Sequence, residues 1–137
     1  MKAVFADCFY WIAIVKPDDP WVQACRSAKQ SLGPVLLVTT DEVLTEFLAA
    51  LSTGGPHLRR AAAEMVNKIL DNPNVKVVPQ SRDSFLKGLR RYADREDKEY
   101  SLTDCTSMNV MQSESIREVL TNDHHFAQEG FTVLITK

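Results

Sequence analysis

Glu118-Val119-Leu120-Thr121-Asn122-Asp123-His124-His125-Phe126 sets a short apolar run directly ahead of an acidic residue and a helix start. The same order opens the chain, where Ala3-Val4-Phe5-Ala6 runs into Asp7. Brief runs of β-branched, aromatic and aliphatic residues closed by a polar residue read as buried strands. Three more fit: Val35-Leu36-Leu37-Val38, Val75 to Val78, and Phe131 to Ile135.

Helical patterns separate these runs. Residues 9–15 read as helix or turn up to Lys16-Pro17, and Pro20 opens a helix through about Ser31 that Gly33-Pro34 breaks. Thr40 is a cap for a helix with Leu44, Phe47, Leu48 and Leu51 on its core stripe, closed by Gly54-Gly55-Pro56. His57 to Leu70 forms the next helix, ended by the turn Asp71-Asn72-Pro73-Asn74. Ser81 opens a helix with Phe85, Leu86, Leu89 and Ala93 inward. Ser101 opens another with Cys105, Met108 and Met111 inward, and residues 124–129 make a last short one before Gly130. Strands that alternate with helices imply right-handed crossovers. The expected fold is therefore α/β, a three-layer α/β/α sandwich on a mostly parallel five-stranded sheet, with residues 1–137 as a single domain.

Composition narrows the function classes. With 137 residues, 45% hydrophobic and 25% charged, the chain reads as an ordinary globular protein with room for one core. A net charge of −2 gives no global attraction to nucleic acid, so polyanion binding needs a local basic patch. Three cysteines, Cys8, Cys25 and Cys105, form no paired spacing, which points to a reducing compartment. The amino-terminal apolar residues are interrupted by Asp7 and lack a cleavage site, and the run from Phe9 to Val15 is too short for a bilayer. A cytoplasmic protein with no membrane partner is expected. No glycine-rich phosphate loop or dinucleotide fingerprint is present.

The residues that carry chemistry are acids. In open parallel sheets, ligands bind beyond the carboxyl ends of the strands, where strand order reverses. Asp7 and Asp123 both stand at such ends, Asp104 at a helix start, and Glu46 inside the helix that follows the second strand. Each has an ordinary alternative. Asp7 and Asp123 fit as helix caps, Asp104 pairs with Ser101 as a capping box, and Glu42 and Glu46 fit a solvated face. Capping does not predict that all four converge. Packed carboxylates resist ionising together, so a cluster of four implies a bound cation or a badly destabilised pocket.

Ala6-Asp7-Cys8, Glu46, Ser101-Leu102-Thr103-Asp104-Cys105, and Leu120-Thr121-Asn122-Asp123-His124-His125-Phe126 with Gly130-Phe131 resemble the PIN-domain nucleases, and among them the VapC-like toxin ribonucleases. The resemblance spans essentially the whole chain. One departure is Cys8, where many members carry Thr or Ser. The resemblance implies an acidic pocket for Mg²⁺ or Mn²⁺ in which Asp7, Glu46, Asp104 and Asp123 are metal-binding and catalytic, with Thr121 orienting an acid or a water. It also implies cleavage of single-stranded or loop RNA, a homodimer, and a cognate antitoxin of a type II toxin–antitoxin pair.

The chemistry agrees with this from its own side. Mg²⁺ takes oxygen ligands and keeps several waters, so a few carboxylates suffice. Such an ion polarises a phosphate and acidifies a water for in-line attack, with one-ion and two-ion arrangements both open. Products with a 5′-phosphate and a 3′-hydroxyl are expected. For the RNA itself, Lys87, Arg91, Arg95 and Lys98 recur at helical spacing ahead of Asp104, with Arg90 nearby. Interleaved Asp83, Asp94, Glu96 and Asp97 leave a salt-bridged face as the competing reading. Tyr10, Trp11, Trp21 and Tyr92 are candidates for base stacking, and the tryptophans equally for the core. Trp11, Ile12, Val15, Trp21 and the Leu44–Leu51 face are candidates for protein contacts. Cys8, Cys105, His124 and His125 are weighed as a zinc set, without a close Cys pair to support it. A non-cutting PIN scaffold that binds RNA or protein, and a receiver-like phosphoacceptor domain, are the alternative functions.

Overall fold

The computed structural model describes residues 1–136. Five strands and seven helices alternate along them: β1 (Lys2–Ala6), α1 (Cys8–Val15), α2 (Val22–Leu32), β2 (Val35–Thr40), α3 (Asp41–Leu51), α4 (Pro56–Asp71), β3 (Val75–Val78), α5 (Arg82–Asp94), α6 (Leu102–Ser113), β4 (Glu118–Leu120), α7 (His124–Gln128) and β5 (Thr132–Val133). The strands form one sheet in the order β3-β2-β1-β4-β5, and every pairing is parallel. The α/β fold expected from the sequence is the fold observed.

The order has a consequence for function. The chain winds outward from β1 through β2 to β3, crosses back, and continues on the other side through β4 and β5. Direction reverses between β1 and β4, which are neighbours, with Phe5 paired to Val119 and Ala6 to Leu120. Right-handed crossovers put α1–α4 on one face of the sheet and α5–α7 on the other. Each group packs within itself, through α1 on α2, α3 and α4, and through α6 on α5 and α7. A crevice at the carboxyl end of the β1–β4 pair follows from this topology.

The core explains why the strand residues are what they are. Val4, Phe5, Val38, Val119 and Leu120 are fully buried, and Phe47, Met108, Met111 and Phe126 close over them from the helices. Local signals set the helix starts. The Thr40 hydroxyl accepts from the Val43 amide at 3.0 Å, and Ser81 and Ser101 each open their helix with a reciprocal capping box. Gly33 and Gly130 take positive φ just past helix ends, and Gly55 does so at the start of α4.

Several boundaries and faces differ from the sequence reading. α2 begins at Val22 because the Asp19 carboxylate accepts from the Trp21 amide at 2.8 Å, which leaves Pro20 in the preceding turn. β5 is reduced to Thr132–Val133, since the Phe131 amide is drawn back to the Phe126 carbonyl at the end of α7. Leu48 is exposed and Val43 takes its place inside α3. The largest correction concerns α5: Phe85, Leu86, Leu89 and Ala93 all face solvent. The buried face is instead Gly88 and Arg91. Gly88 lies so close to α6 that a Cβ there would stand 2.6 Å from the Thr106 methyl. Close approach at a glycine and ionic contacts dock this helix, so its apolar stripe is left outward.

Two adjacent residues on α3 test this account. Phe47→Ala empties a fully buried site and should cost about 3–5 kcal/mol of unfolding free energy. Leu48→Ala, at an exposed site, should cost under about 1 kcal/mol. Urea unfolding of both variants checks this, and equal losses would contradict the assigned faces.

Candidate active site

Four elements deliver acids to the crevice. Asp7 follows β1, Glu46 projects from α3, Asp104 stands in the first turn of α6, and Asp123 lies between β4 and α7. Asp7 and Asp104 are buried, while Glu46 and Asp123 are half-buried. Asp7 feels the charges of Asp104 and Glu46, and Glu46 those of Asp104 and Asp123. Asp104, Asp123 and His125 present three donor atoms that all lie within 4.8 Å of one another. Of the four acids read from the sequence, the structure brings Asp104 and Asp123 together with an imidazole, while Asp7 and Glu46 stand outside that close cluster and are coupled to it through charge.

Capping and convergence coexist. Asp104 completes its capping box, with Oδ2 accepting from the Ser101 amide at 3.1 Å, and Asp123 Oδ1 accepts from the His125 amide at 2.9 Å. Asp7, by contrast, does not cap α1 with its side chain. Its Oδ2 accepts from the Thr121 hydroxyl at 2.9 Å, and the Thr121 oxygen accepts in turn from the Asp123 amide at 3.2 Å. Thr121 is fully buried, so this one hydroxyl couples the acid after β1 to the turn after β4. On the other side, the Thr39 hydroxyl holds the Ala6 carbonyl at 2.9 Å.

The electrostatics favour a cation. Burial pushes the Asp7 carboxyl up to about 7, and the charges of Asp104 and Glu46 add to the rise against the backbone and Thr121 hydrogen bonds. Glu46 is raised by burial and by Asp104 and Asp123, with partial relief from the side chains of Cys8 and Thr103. Burial, then the charges of Glu46 and Asp7, drive the Cys8 thiol well above its ordinary value. The metal-free pocket therefore resists full ionisation. Asp104, Asp123 and His125 as close donors, with Asp7 and Glu46 adding negative charge, fit a divalent cation whose charge would offset the repulsion. Cys8 and Cys105 are buried free thiols, and His124 is exposed, so the zinc set is not what the fold assembles around these acids.

The basic helix is used differently from its sequence reading. Arg91 is only 9% exposed. Its guanidinium donates to Glu129 at 2.9 Å and to Asn109 at 2.8 Å, and also bonds Gln112. Arg95 joins the same Glu129 carboxylate at 3.1 Å. Lys87 and Lys98 are exposed and sit beside Asp83 and Asp97. A cleft of about 560 Å³ between α5 and α6 is lined by Lys87, Arg90, Arg91 and Arg95, but also by Asp94, and does not include Lys98. Arg91 and Arg95 are thus tied into an ion network around Glu129, a half-buried carboxylate more than thirty residues away in sequence. Tyr10 and Trp11 are core residues, Trp21 packs edge-on against Phe9 at 5.2 Å, and Tyr92 alone of the four aromatic candidates is exposed.

Known proteins share this arrangement of elements. The 23S rRNA-specific endonuclease VapC20 of Mycobacterium tuberculosis is 25% identical over 128 residues, which covers 93% of this chain and 95% of that protein. The crystal structure of Mycobacterium tuberculosis VapC20, a sarcin–ricin-loop-cleaving toxin, superposes with a TM-score of 0.85 at 24% identity, over 97% of this chain and 99% of that one. The chain is similar to VapC20 over nearly its whole length and shares its fold. FitAB bound to an IR36 DNA fragment follows with a TM-score of 0.68 at 16% identity, covering 95% and 92% of the two chains. FitAcB from Neisseria gonorrhoeae gives 0.67 at 12% identity, covering 97% and 96%. No family model matches the chain.

Two features of this pocket carry no readable signal in the sequence. His125 was visible as a residue, but not its placement between two acids, and Glu129 carried no motif signal at all. A pH test follows from Asp7. Its carboxyl holds a proton in the metal-free fold that the unfolded chain gives up near 3.8. Binding that proton favours the fold, fully below 3.8, and the contribution is lost as pH rises through about 7. The melting temperature of metal-free protein should fall across that window, and Asp7→Asn should flatten the fall. A wild-type melting temperature that rises with pH there would contradict the assignment.

Proposed function

We propose that this chain is a divalent-metal-dependent endoribonuclease, the toxin of a type II toxin–antitoxin pair acting in the cytoplasm. Asp7, Glu46, Asp104 and Asp123 serve as the metal-binding and catalytic acids, with Mg²⁺ or Mn²⁺ as the ion. The observation that carries this reading is the meeting of Asp104, Asp123 and His125 within 4.8 Å, with Asp7 and Glu46 close enough to feel their charges and Asp7 lifted to about 7. The similarity to VapC20 supports RNA as the substrate. Since that relative acts on 23S rRNA and cleaves the sarcin–ricin loop, a ribosomal RNA loop is the first substrate to try.

The residues divide the work. When bound, the ion supplies charge stabilisation at the phosphate and acidifies a water. Asp7 must give up its proton for the pocket to reach full negative charge, and the Thr121 hydroxyl then holds the carboxylate in one orientation. Asp104 and Asp123 are fixed by amide hydrogen bonds at 3.1 and 2.9 Å, so they need little rearrangement to accept an ion. Water attack makes no use of the RNA 2′-hydroxyl, so fragments end in 5′-phosphate and 3′-hydroxyl.

Substrate and partner surfaces are part of the same proposal. A cleft of about 440 Å³ between the starts of α3, α5 and α6 is bounded by Glu42, Arg82, Phe85, Leu102 and Thr103, the last two directly ahead of Asp104 in sequence, and is the groove we assign to the RNA strand. Exposed Lys87 and Arg90 on α5, and Lys98 in the segment that leads into α6, are the cations we assign to phosphate contacts. Arg91 and Arg95 contribute chiefly by holding the helix in place. A homodimer and a cognate antitoxin complete the reading, and no described helix is long and apolar enough to cross a membrane.

Purified protein incubated with ribosomal RNA and Mn²⁺ should yield discrete fragments with 5′-phosphate ends. EDTA, Asp7→Asn and Asp104→Asn should each abolish them. Cleavage that survives chelation or both substitutions rejects the mechanism.

A further inference from the structure

His125 sits where neither a cap nor a surface residue needs it. Its Nδ1 lies 3.1 Å from Asp104 Oδ2 and 3.4 Å from Asp123 Oδ1. A carboxylate oxygen only accepts, so the Asp104 hydrogen bond places the proton on Nδ1. Asp123 Oδ1 lies beside the same nitrogen at 3.4 Å as a charge contact, so the ring stands between two acids that come from different elements, α6 and the β4–α7 turn.

The ring itself is held from behind. α7 has five residues, far too few to be stable alone, so its orientation comes from tertiary contacts. Phe126 anchors it in the core with no exposed surface. Glu129, its carboxyl-terminal cap residue, receives Arg91 at 2.9 Å, Arg95 at 3.1 Å and the Tyr100 hydroxyl at 2.9 Å. The Tyr100 ring in turn lies 5.4 Å from the His125 ring, tilted at 59°. Burial alone would raise the Glu129 carboxyl, yet the hydrogen bonds of Arg95 and Tyr100 and the two guanidinium charges bring it below its ordinary value. Glu129 is therefore a fixed anion at the end of a short helix. Two cations and a phenol grip it, and that phenol packs on the imidazole.

We propose that His125 is a positioning residue of the acidic pocket: its Nδ1–H holds Asp104 and Asp123 in a common orientation for a divalent cation, and the Tyr100–Glu129–Arg91/Arg95 network holds its ring. This rests on the pocket being the metal centre proposed above. Partners that orient metal ligands in this way typically contribute 10- to 100-fold to metal affinity. An asparagine can place its amide N–H close to where the imidazole Nδ1–H stands, whereas alanine offers no donor.

Calorimetric titration of the full chain with Mn²⁺ alone, without RNA, tests it. His125→Ala should weaken Mn²⁺ binding by about 10- to 100-fold. His125→Asn should recover most of that loss. With RNA and saturating Mn²⁺, kcat should follow the same order while KM for RNA stays near wild type. Circular dichroism and thermal melts confirm that both variants fold. Wild-type affinity in His125→Ala overturns the inference, as does a His125→Asn variant as weak as alanine, or a change confined to KM. If the wild-type chain itself binds no Mn²⁺, the metal-centre reading fails first, which separates the two outcomes.

Discussion

Four carboxyl groups share one crevice, and the cost of charging them together governs what the pocket can be. Water would ordinarily screen such a group, but Asp7 is buried and Glu46 and Asp123 half-buried. Each ionisation makes the next harder, which is why Asp7 and Glu46 are both raised. A fold that keeps this arrangement does so at a loss of stability unless a cation offsets it. The remaining features of the site serve that constraint. Thr121 bridges two of the acids, amide hydrogen bonds fix two, and the thiol of Cys8 stays protonated beside Glu46.

The sheet is what makes the constraint possible. Asp7 and Asp123 are 116 residues apart in the chain but follow adjacent parallel strands. Adjacent parallel strands end on the same side, so the two acids emerge together. α3 and α6 touch each other and carry Glu46 and Asp104 to the same edge. Beneath this, Arg91, Arg95, Tyr100 and Glu129 lock α5 and α7 together, so the ion network that a sequence reader takes for a surface serves as a frame.

Much of this was legible in the sequence, and the parts that were not share a cause. The strands announced themselves because runs such as Val4-Phe5-Ala6 and Val119-Leu120 are apolar on both faces, as a covered parallel sheet requires. Capping residues Thr40, Ser81 and Ser101 act within a few residues of themselves, so their signal is local and readable. α5 misled because an amphipathic stripe shows which residues share a face without showing which face meets the core. Gly88 and Arg91 decided that, through Thr106 and Glu129, partners far along the chain. The acids could be named from the strand ends, but the imidazole between Asp104 and Asp123 depends on how α7 is clamped, which no spacing encodes.

Anomalous diffraction from crystals of the wild-type chain soaked in Mn²⁺ addresses the central claim most directly. The account predicts an ion peak within coordinating distance of the Asp7, Asp104 and Asp123 carboxylates at the carboxyl ends of β1 and β4. Mn²⁺ bound elsewhere on the surface, with this crevice empty at saturating ion, would contradict it.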